Sequence, residues 1–183
     1  MSTQVVIITG ASDGIGAELA RQLAQESGSK VSLVLAARNK EKLAQVAQQC
    51  RTHGSKVLVH PTDVGNETEC RALIAESIAQ FGRIDTLVNN AGMSAHALLN
   101  EVSDMAWYEQ LMRINLWGSA WCTHAALPYL KVTRGRIVAV SSLAGLVGVP
   151  GRTAYRATKF AMTGFFEALR VELAPQGVSV TIA

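Results

Sequence analysis

The chain has 183 residues, of which 49% are hydrophobic and 17% are charged, and its formal net charge is +3. This length suits one domain over residues 1–183, and the composition is that of a globular protein with a substantial core. The basic residues are scattered, so nucleic acid is not a predicted partner. No apolar stretch has the form of a signal peptide or the length of a membrane span, so we expect a cytoplasmic protein outside any membrane.

Six short runs rich in β-branched residues alternate with helical patterns along the chain. The predicted strands are Val5–Thr9, Val31–Ala36, Val57–His60, Thr86–Asn89, Ile137–Ser141 and Val178–Ile182. Most are near-continuous apolar runs, which is typical of strands covered on both faces. Helices between them imply parallel strands joined by right-handed crossovers. The predicted fold is an α/β doubly wound parallel sheet with helices on both faces and the strand order 3-2-1-4-5-6.

A glycine-rich segment, Thr9–Gly16, joins the first strand to a helix. Its glycines let the backbone turn tightly and approach a pyrophosphate, and the helix that follows offers free N–H groups and the positive end of its dipole. The segment therefore predicts a dinucleotide site, although an ordinary strand-to-helix turn remains the alternative. The predicted cofactor-binding residues here are Gly10, Ser12, Asp13, Gly14, Ile15 and Gly16.

The second strand ends in Ala36, Ala37 and Arg38, with no carboxylate. A carboxylate at this position would bind the ribose 2′-hydroxyl of NAD, whereas an arginine pairs with the 2′-phosphate of NADP. We therefore predict a preference for NADP(H). NAD(H) remains possible, because Arg38 could also be a solvated surface residue.

The loops after the third and fourth strands contribute the rest of the predicted cofactor site. These residues are Asp63, Val64, Asn90, Ala91 and Gly92. Asp63 either caps a turn or contacts the adenine amino group, and the sequence does not decide between the two roles.

One long helix is predicted over residues 107–130, with a disturbance near Pro128 because proline lacks the N–H that a helix interior requires.

Further along the chain, Tyr155 and Lys159 lie four residues apart, on one face of another predicted helix. A phenol ordinarily titrates near pH ~10, too high for efficient proton transfer at neutral pH, and a nearby ammonium stabilises the phenolate. The pair therefore predicts acid–base chemistry, but the spacing alone is a weak signal.

Taken together, these motifs give a sequence that resembles the short-chain dehydrogenase/reductase family, of the NADP-preferring type, over essentially its whole length. The motifs that carry the resemblance, in the family's order, are Thr9–Gly16, Asn89–Gly92, Asn115, Ser141–Ser142 and Tyr155–Lys159.

The resemblance implies a tetrad formed by Asn115, Ser142, Tyr155 and Lys159. Tyr155 would be the general acid in carbonyl reduction and the general base in alcohol oxidation, while Ser142 would hydrogen-bond the substrate oxygen. Lys159 would lower the tyrosine pKa and hold the nicotinamide ribose, and Asn115 would support a proton-relaying water. The implied activity is hydride transfer between NADP(H) and a small-molecule carbonyl or alcohol.

Further expectations follow from the same resemblance. The residues expected to line the substrate pocket, Met93, Leu143, Leu146 and Val147, are apolar. Together with a likeness to hydroxysteroid-dehydrogenase-like members, they favour a lipophilic substrate. The long helices of this family commonly form homodimers or homotetramers. Family members usually continue past the sixth strand, so we expect a C-terminal part that is missing from this sequence.

Two other functions stay open, namely an NAD(H)-dependent alcohol dehydrogenase of the same family and a non-catalytic nucleotide-binding regulator. Histidines and cysteines show no metal-binding spacing, so no metal site is predicted. The segment around Ser142 lacks the G-x-S-x-G elbow of a serine hydrolase.

Overall fold

The computed structural model describes residues 3–183 and contains a six-stranded parallel sheet. The strands are β1 (Gln4–Thr9), β2 (Val31–Ala37), β3 (Lys56–Pro61), β4 (Thr86–Asn89), β5 (Arg136–Ala139) and β6 (Ser179–Ile182). Their order is β3-β2-β1-β4-β5-β6, which confirms the predicted topology. In the register of the sheet, Ile7 of β1 lies between Val34 of β2 and Leu87 of β4.

Helices cover both faces of this sheet. They are α1 (Gly14–Ser27), α2 (Lys40–Thr52), α3 (Glu67–Phe81), α4 (Ala106–Met112), α5 (Gly118–Thr133) and α6 (Thr153–Leu173). Successive residues of a strand point to opposite faces. Val6 and Ile8 of β1 therefore pack into a core with α1 and α2, whereas Val5 and Ile7 pack into a second core with α3, α5 and α6.

Helix α1 lies against the sheet through small residues, which are Gly16, Ala17, Ala20 and Ala24. The larger apolar residues of α1 do not form its buried face: Leu19 and Leu23 are only partly buried, and Ile15 is 68% exposed. The reason is that small side chains let the helix axis come close to the sheet, so the larger residues contact the core only from the side.

The segment from residue 106 to 133 differs from the predicted single helix. Pro128 lies inside α5 without ending it. The irregularity lies instead at Arg113–Trp117, a π-helical turn in which the Gly118 N–H donates to the Arg113 carbonyl. The prediction of a disturbance at Pro128 was therefore wrong. It rested on the missing proline N–H alone, whereas the wide turn accompanies tertiary contacts of Asn115 and Gly118.

Among residues 3–183, no helix combines the length and the apolar character that a membrane crossing requires.

Candidate active site

A cavity of about 450 Å³ opens at the carboxyl ends of β1, β2, β3 and β4. In open α/β sheets ligands bind at this edge, where the strand order reverses, here between β1 and β4. Nine predicted cofactor-binding residues line the cavity, namely Gly10, Ser12, Asp13, Arg38, Asp63, Val64, Asn90, Ala91 and Gly92. Five further lining residues were not predicted to belong to the cofactor site, namely Ala37, Asn39, Thr62, Met93 and Ile114.

Two loops of this cavity are bound tightly to each other. The Asn90 side-chain amide donates to the carbonyls of Thr9 (2.9 Å) and Gly10 (3.3 Å). The backbone N–H groups of Asn90 and Ala91 both donate to the Thr9 hydroxyl at 3.0 Å. Gly10 has a φ of +67°, and a Cβ atom there would lie 2.8 Å from the Ala91 Cα. Glycine is therefore required at position 10 for the conformation and for the close approach of the two loops.

The beginning of α1 offers donors to an anion. Asp13 caps the helix by accepting from the Gly14 N–H at 2.8 Å. Within residues 3–183, the N–H groups of Ile15 and Gly16 have no hydrogen-bond acceptor. Gly14, Ile15 and Gly16 are not among the residues that line the cavity, so any contact they make with a bound pyrophosphate goes through their backbone N–H groups.

Replacement of Gly16 by alanine tests how closely this loop is packed. The new Cβ would lie 2.5 Å from both the Gly10 carbonyl oxygen and the Asn90 amide nitrogen. We expect Gly16→Ala to lower the free energy of unfolding by about 1–3 kcal/mol. The matched control is Gly164→Ala in α6, where no heavy atom lies within 4 Å of the new Cβ. This control should stabilise the protein by about 0.4–1 kcal/mol. Urea unfolding measures both changes, and equal values would contradict the prediction.

Charged residues surround the opening beside β2. Arg38 is exposed and forms no ion pair with another residue of the described chain. The Lys42 ammonium, in the first turn of α2, lies 2.6 Å from the Asp13 carboxylate. This contact, with the Gly14 N–H, holds the pKa of Asp13 below its ordinary value. The Asp13 carboxylate is thus paired, while the Arg38 guanidinium has no carboxylate partner among residues 3–183.

Asp63 follows β3 and accepts from the Gly65 N–H at 2.9 Å. The turn-capping alternative from the sequence analysis is therefore present in the structure. Because Asp63 also lines the cavity, the adenine contact stays a prediction.

Asn115 lies in the π turn and is completely buried. Its Oδ1 accepts from the Met93 N–H at 2.7 Å, and its Nδ2 donates to the Met93 carbonyl and to the Thr158 hydroxyl, both at 2.9 Å. Its own backbone carbonyl accepts from the Ser119 hydroxyl at 3.2 Å. Both amide hydrogens are thereby used to join the loop after β4 to α6, which makes positioning the visible role of this side chain.

Tyr155 and Lys159 lie one turn apart in α6, next to the loop after β4. The Lys159 ammonium is 5.8 Å from the centre of the Tyr155 ring and donates to the Val140 carbonyl at 2.8 Å. Lys159 is only 4% exposed, and burial lowers its pKa to about 8. A Cβ on Gly92 would lie 3.9 Å from this ammonium and 3.3 Å from the Asn115 Oδ1. Three of the four predicted tetrad residues are therefore close together beside the cavity.

Ser142, the fourth residue, follows β5. Its hydroxyl oxygen accepts from the Ala144 N–H at 3.1 Å and so caps a short 3₁₀ turn, Leu143–Gly145. A hydroxyl can accept and donate at once, and the Ser142 hydroxyl hydrogen has no acceptor within residues 3–183. The hydroxyl of the preceding Ser141 contacts Thr163 of α6 at 3.2 Å.

Comparison with known proteins fits this geometry. The family model described as short chain dehydrogenase matches residues 4–183. The chain belongs to this family. Among curated relatives, 11-beta-hydroxysteroid dehydrogenase A of Sesamum indicum is 43% identical over 180 residues, which are 98% of this chain and 51% of the relative. The 11-beta-hydroxysteroid dehydrogenase-like 4A of Arabidopsis thaliana is also 43% identical, over 98% of this chain and 59% of the relative. The chain spans little more than half the length of these short-chain dehydrogenases.

Solved structures of short-chain dehydrogenases have the same fold. A metagenomic short-chain oxidoreductase in complex with NADP superposes with a TM-score of 0.92 at 32% identity, over 99% of this chain and 81% of that chain. An alcohol dehydrogenase from Thermococcus sibiricus, complexed with 5-hydroxy-NADP, gives 0.92 at 28% identity, over 99% and 75% of the two chains.

Two residues that organise the site, Thr9 and Thr158, were not predicted to be site residues. Thr9 joins β1 to the loop after β4, and Thr158 receives the Asn115 amide. Thr158 lies between Tyr155 and Lys159, so the helical spacing of that pair could have indicated its face. Within residues 3–183, no three histidine, cysteine or acidic side chains come together as potential metal ligands.

Proposed function

We propose that the protein is an NADP(H)-dependent oxidoreductase that interconverts a small carbonyl compound and the corresponding alcohol. The observation that carries this proposal is the position of Tyr155 and a buried Lys159 beside the cavity at the switch point of the sheet. A phenol supported by an ammonium suits proton transfer to a carbonyl oxygen. In this proposal one domain, residues 1–183, carries both the nucleotide site and the catalytic groups.

The residues of the cavity fit a dinucleotide. Gly10 lines the cavity, and the free N–H groups of Ile15 and Gly16 offer donors to a pyrophosphate. Arg38 is available to a 2′-phosphate and Asp63 to adenine. The loop residues Asn90, Ala91 and Gly92 would shape the nicotinamide end, where Tyr155 and Lys159 would contact the ribose. When bound, the nicotinamide supplies or accepts the hydride.

The chain's own groups handle the proton and orient the substrate. The Tyr155 hydroxyl donates its proton to the substrate oxygen during reduction and takes it back during oxidation. Ser142 donates a second hydrogen bond to the same oxygen, which stabilises the charge that develops there. The Lys159 ammonium favours the phenolate by its charge, while Asn115 holds the loop after β4 against α6.

A carbonyl-reduction assay tests the proposal. Purified protein is mixed with NADPH, or separately with NADH, and a panel of aliphatic, aromatic and steroid ketones, and loss of the reduced nicotinamide is followed. We expect NADPH-dependent reduction of the apolar ketones, because exposed apolar side chains follow Ser142 and the curated relatives carry hydroxysteroid dehydrogenase names. Cofactor binding without turnover of any ketone or alcohol would favour the non-catalytic regulator instead.

The Arg38→Ala variant tests the cofactor preference. If Arg38 pairs with the 2′-phosphate, the dissociation constant for NADPH should rise by about 10- to 100-fold, because a hydrogen bond to a charged group contributes about 1.5–3 kcal/mol. The constant for NADH should change little. Nicotinamide fluorescence titration measures both constants, and Arg71→Ala, an exposed residue of α3, is the control. Unchanged affinity for NADPH in Arg38→Ala would favour the NAD(H)-dependent alternative.

We also propose that the protein forms a homodimer or homotetramer. Two helices carry exposed apolar residues outside the cavity: Val132 of α5 is 85% exposed and Val171 of α6 is 75% exposed. Contact with a second copy would remove this apolar surface from water.

A further inference from the structure

We propose that the active site selects carbonyl substrates that carry an anionic group, and that Arg152 binds this group. The inference rests on the proposed function and names the substrate class of the same site. Arg152 immediately precedes α6, and its guanidinium lies 5.8 Å from the centre of the Tyr155 ring. A group bound there is next to the phenol that donates the proton.

The hydrogen bonding of Arg152 leaves most of its donors unused. The side chain is half-buried, and one terminal nitrogen donates to the Ser94 hydroxyl in the loop after β4. A guanidinium carries five N–H donors in a planar fork that matches a carboxylate. None of the ion pairs of residues 3–183 includes Arg152. Partial burial weakens the hydration of this charge without supplying a counterion, so an anion from outside the described chain fits the site.

A second guanidinium lies close to Arg152, on α6. Arg156, one turn further along α6, lies 5.0 Å from the Phe160 ring and takes part in no ion pair of the described residues. His96, from the loop after β4, packs against Gly151, where an added Cβ would lie 2.7 Å from the imidazole ring. The nearby carboxylates of Glu101 and Asp104 accept from backbone N–H groups of their own segment. Within residues 3–183, Arg152 and Arg156 thus both lie within one helical turn of Tyr155 without an ion-pair partner.

Apolar side chains lie in the segment after Ser142, which approaches the charged region where an added Cβ on Gly148 would lie 3.1 Å from an Arg156 terminal nitrogen. Leu143, Leu146 and Val147 follow Ser142 and are 77%, 67% and 57% exposed. A ligand that meets both regions has an apolar body and an anionic group close to its carbonyl. The structure thus assigns the site to a lipophilic oxo acid in preference to a neutral ketone.

The experiment compares γ-oxodecanoate with its methyl ester, which has the same carbonyl and chain but no charge. With NADPH present, we expect kcat/KM of the unsubstituted protein to be at least about 10-fold higher for the acid. Arg152→Gln should lower kcat/KM for the acid by about 10- to 100-fold, mainly through KM, and change the value for the ester by less than about 3-fold. Arg152→Lys should restore part of the preference. Arg71→Gln, which removes an exposed charge on α3, should leave it unchanged.

The outcomes separate the inference from the proposed function. Equal losses for acid and ester in Arg152→Gln would overturn anion recognition, because they would mean that Arg152 acts through Tyr155 or through folding. Reduction of the ester without preference for the acid would also overturn it, while the proposed function would stand. If NADPH binds but no carbonyl compound of either kind is reduced, both fail together.

Discussion

Replacing Tyr155 by phenylalanine is expected to lower kcat for carbonyl reduction by a factor of about 10²–10⁴, the usual contribution of a positioned general acid. The substitution removes only the hydroxyl group. Within residues 3–183 this hydroxyl has no hydrogen-bond partner, so its loss leaves no protein group unsatisfied. The ring remains in place beside Lys159 and Arg152. The fold should therefore be retained, and the affinity for NADPH should fall by no more than about 10-fold, the contribution of one hydrogen bond to the ribose.

Three measurements make this prediction specific. Single-turnover kinetics with NADPH and a ketone report the chemical step, nicotinamide fluorescence reports cofactor binding, and urea unfolding reports stability. The control is Tyr129→Phe in α5, a partly exposed residue outside the cavity, which should keep full activity. Full turnover by Tyr155→Phe would rule out this phenol as the proton donor.

The order of the sheet could be predicted because its signals are local. Each strand is a short apolar run with a helical pattern after it, and parallel strands joined by right-handed crossovers leave few arrangements. The bounds of the strands differ from the predicted ones by only one or two residues. Family membership could be predicted for a similar reason, since its motifs are short and their order is fixed along the chain.

The π turn at Arg113–Trp117 could not be predicted, because the contacts that accompany it come from residues distant in sequence. Asn115 bonds to Met93 and Thr158, which lie 22 and 43 residues away. A Cβ on Gly118 would lie 2.7 Å from the Val64 carbonyl, so the helix passes close to the loop after β3. No local sequence pattern indicates such contacts. Proline has a known local effect on helices, so the disturbance was predicted at Pro128 instead.

The same difference between local sequence signals and contacts distant in sequence applies to the site. Tyr155 and Lys159 were recognisable from their helical spacing, because both lie on one face of α6. The position of Arg152 beside the phenol was not, since arginine before a helix is ordinary in sequence and its significance comes from the ring and from Ser94.

Replacing Lys159 by methionine should reveal the energetic cost of its burial as a change of stability with pH. Burial lowers the pKa of Lys159 from 10.5 to about 8, which corresponds to about 3 kcal/mol of destabilisation when both the folded and the unfolded protein are protonated. That condition holds below pH ~8. Between pH ~8 and ~10.5 the folded protein loses this proton while the unfolded chain keeps it, so the penalty fades and stability rises with pH.

The expected result is a difference between two proteins. At pH ~7 the Lys159→Met variant no longer buries a charge, which raises its free energy of unfolding. It also loses the hydrogen bond to the Val140 carbonyl, which lowers the free energy of unfolding by about 1–3 kcal/mol. The absolute difference at one pH therefore depends on this balance. The change with pH does not: relative to the unsubstituted protein, the advantage of the variant should fall by about 2–3 kcal/mol between pH ~7 and pH ~10. Urea unfolding at the two pH values measures it, and Lys131→Met, at an exposed position of α5, should show no such change.

The same substitution links this stability cost to activity. With a pKa of about 8, Lys159 is mostly charged at pH ~7, so the folded protein keeps a positive charge near Tyr155 and bears the cost of burying it. Lys159→Met should therefore lower kcat/KM for carbonyl reduction by a factor of about 10² or more, while its stability relative to the unsubstituted protein is greatest at neutral pH. A pH-independent stability difference would show that water reaches the ammonium. An active Lys159→Met variant would show that the phenol works without it.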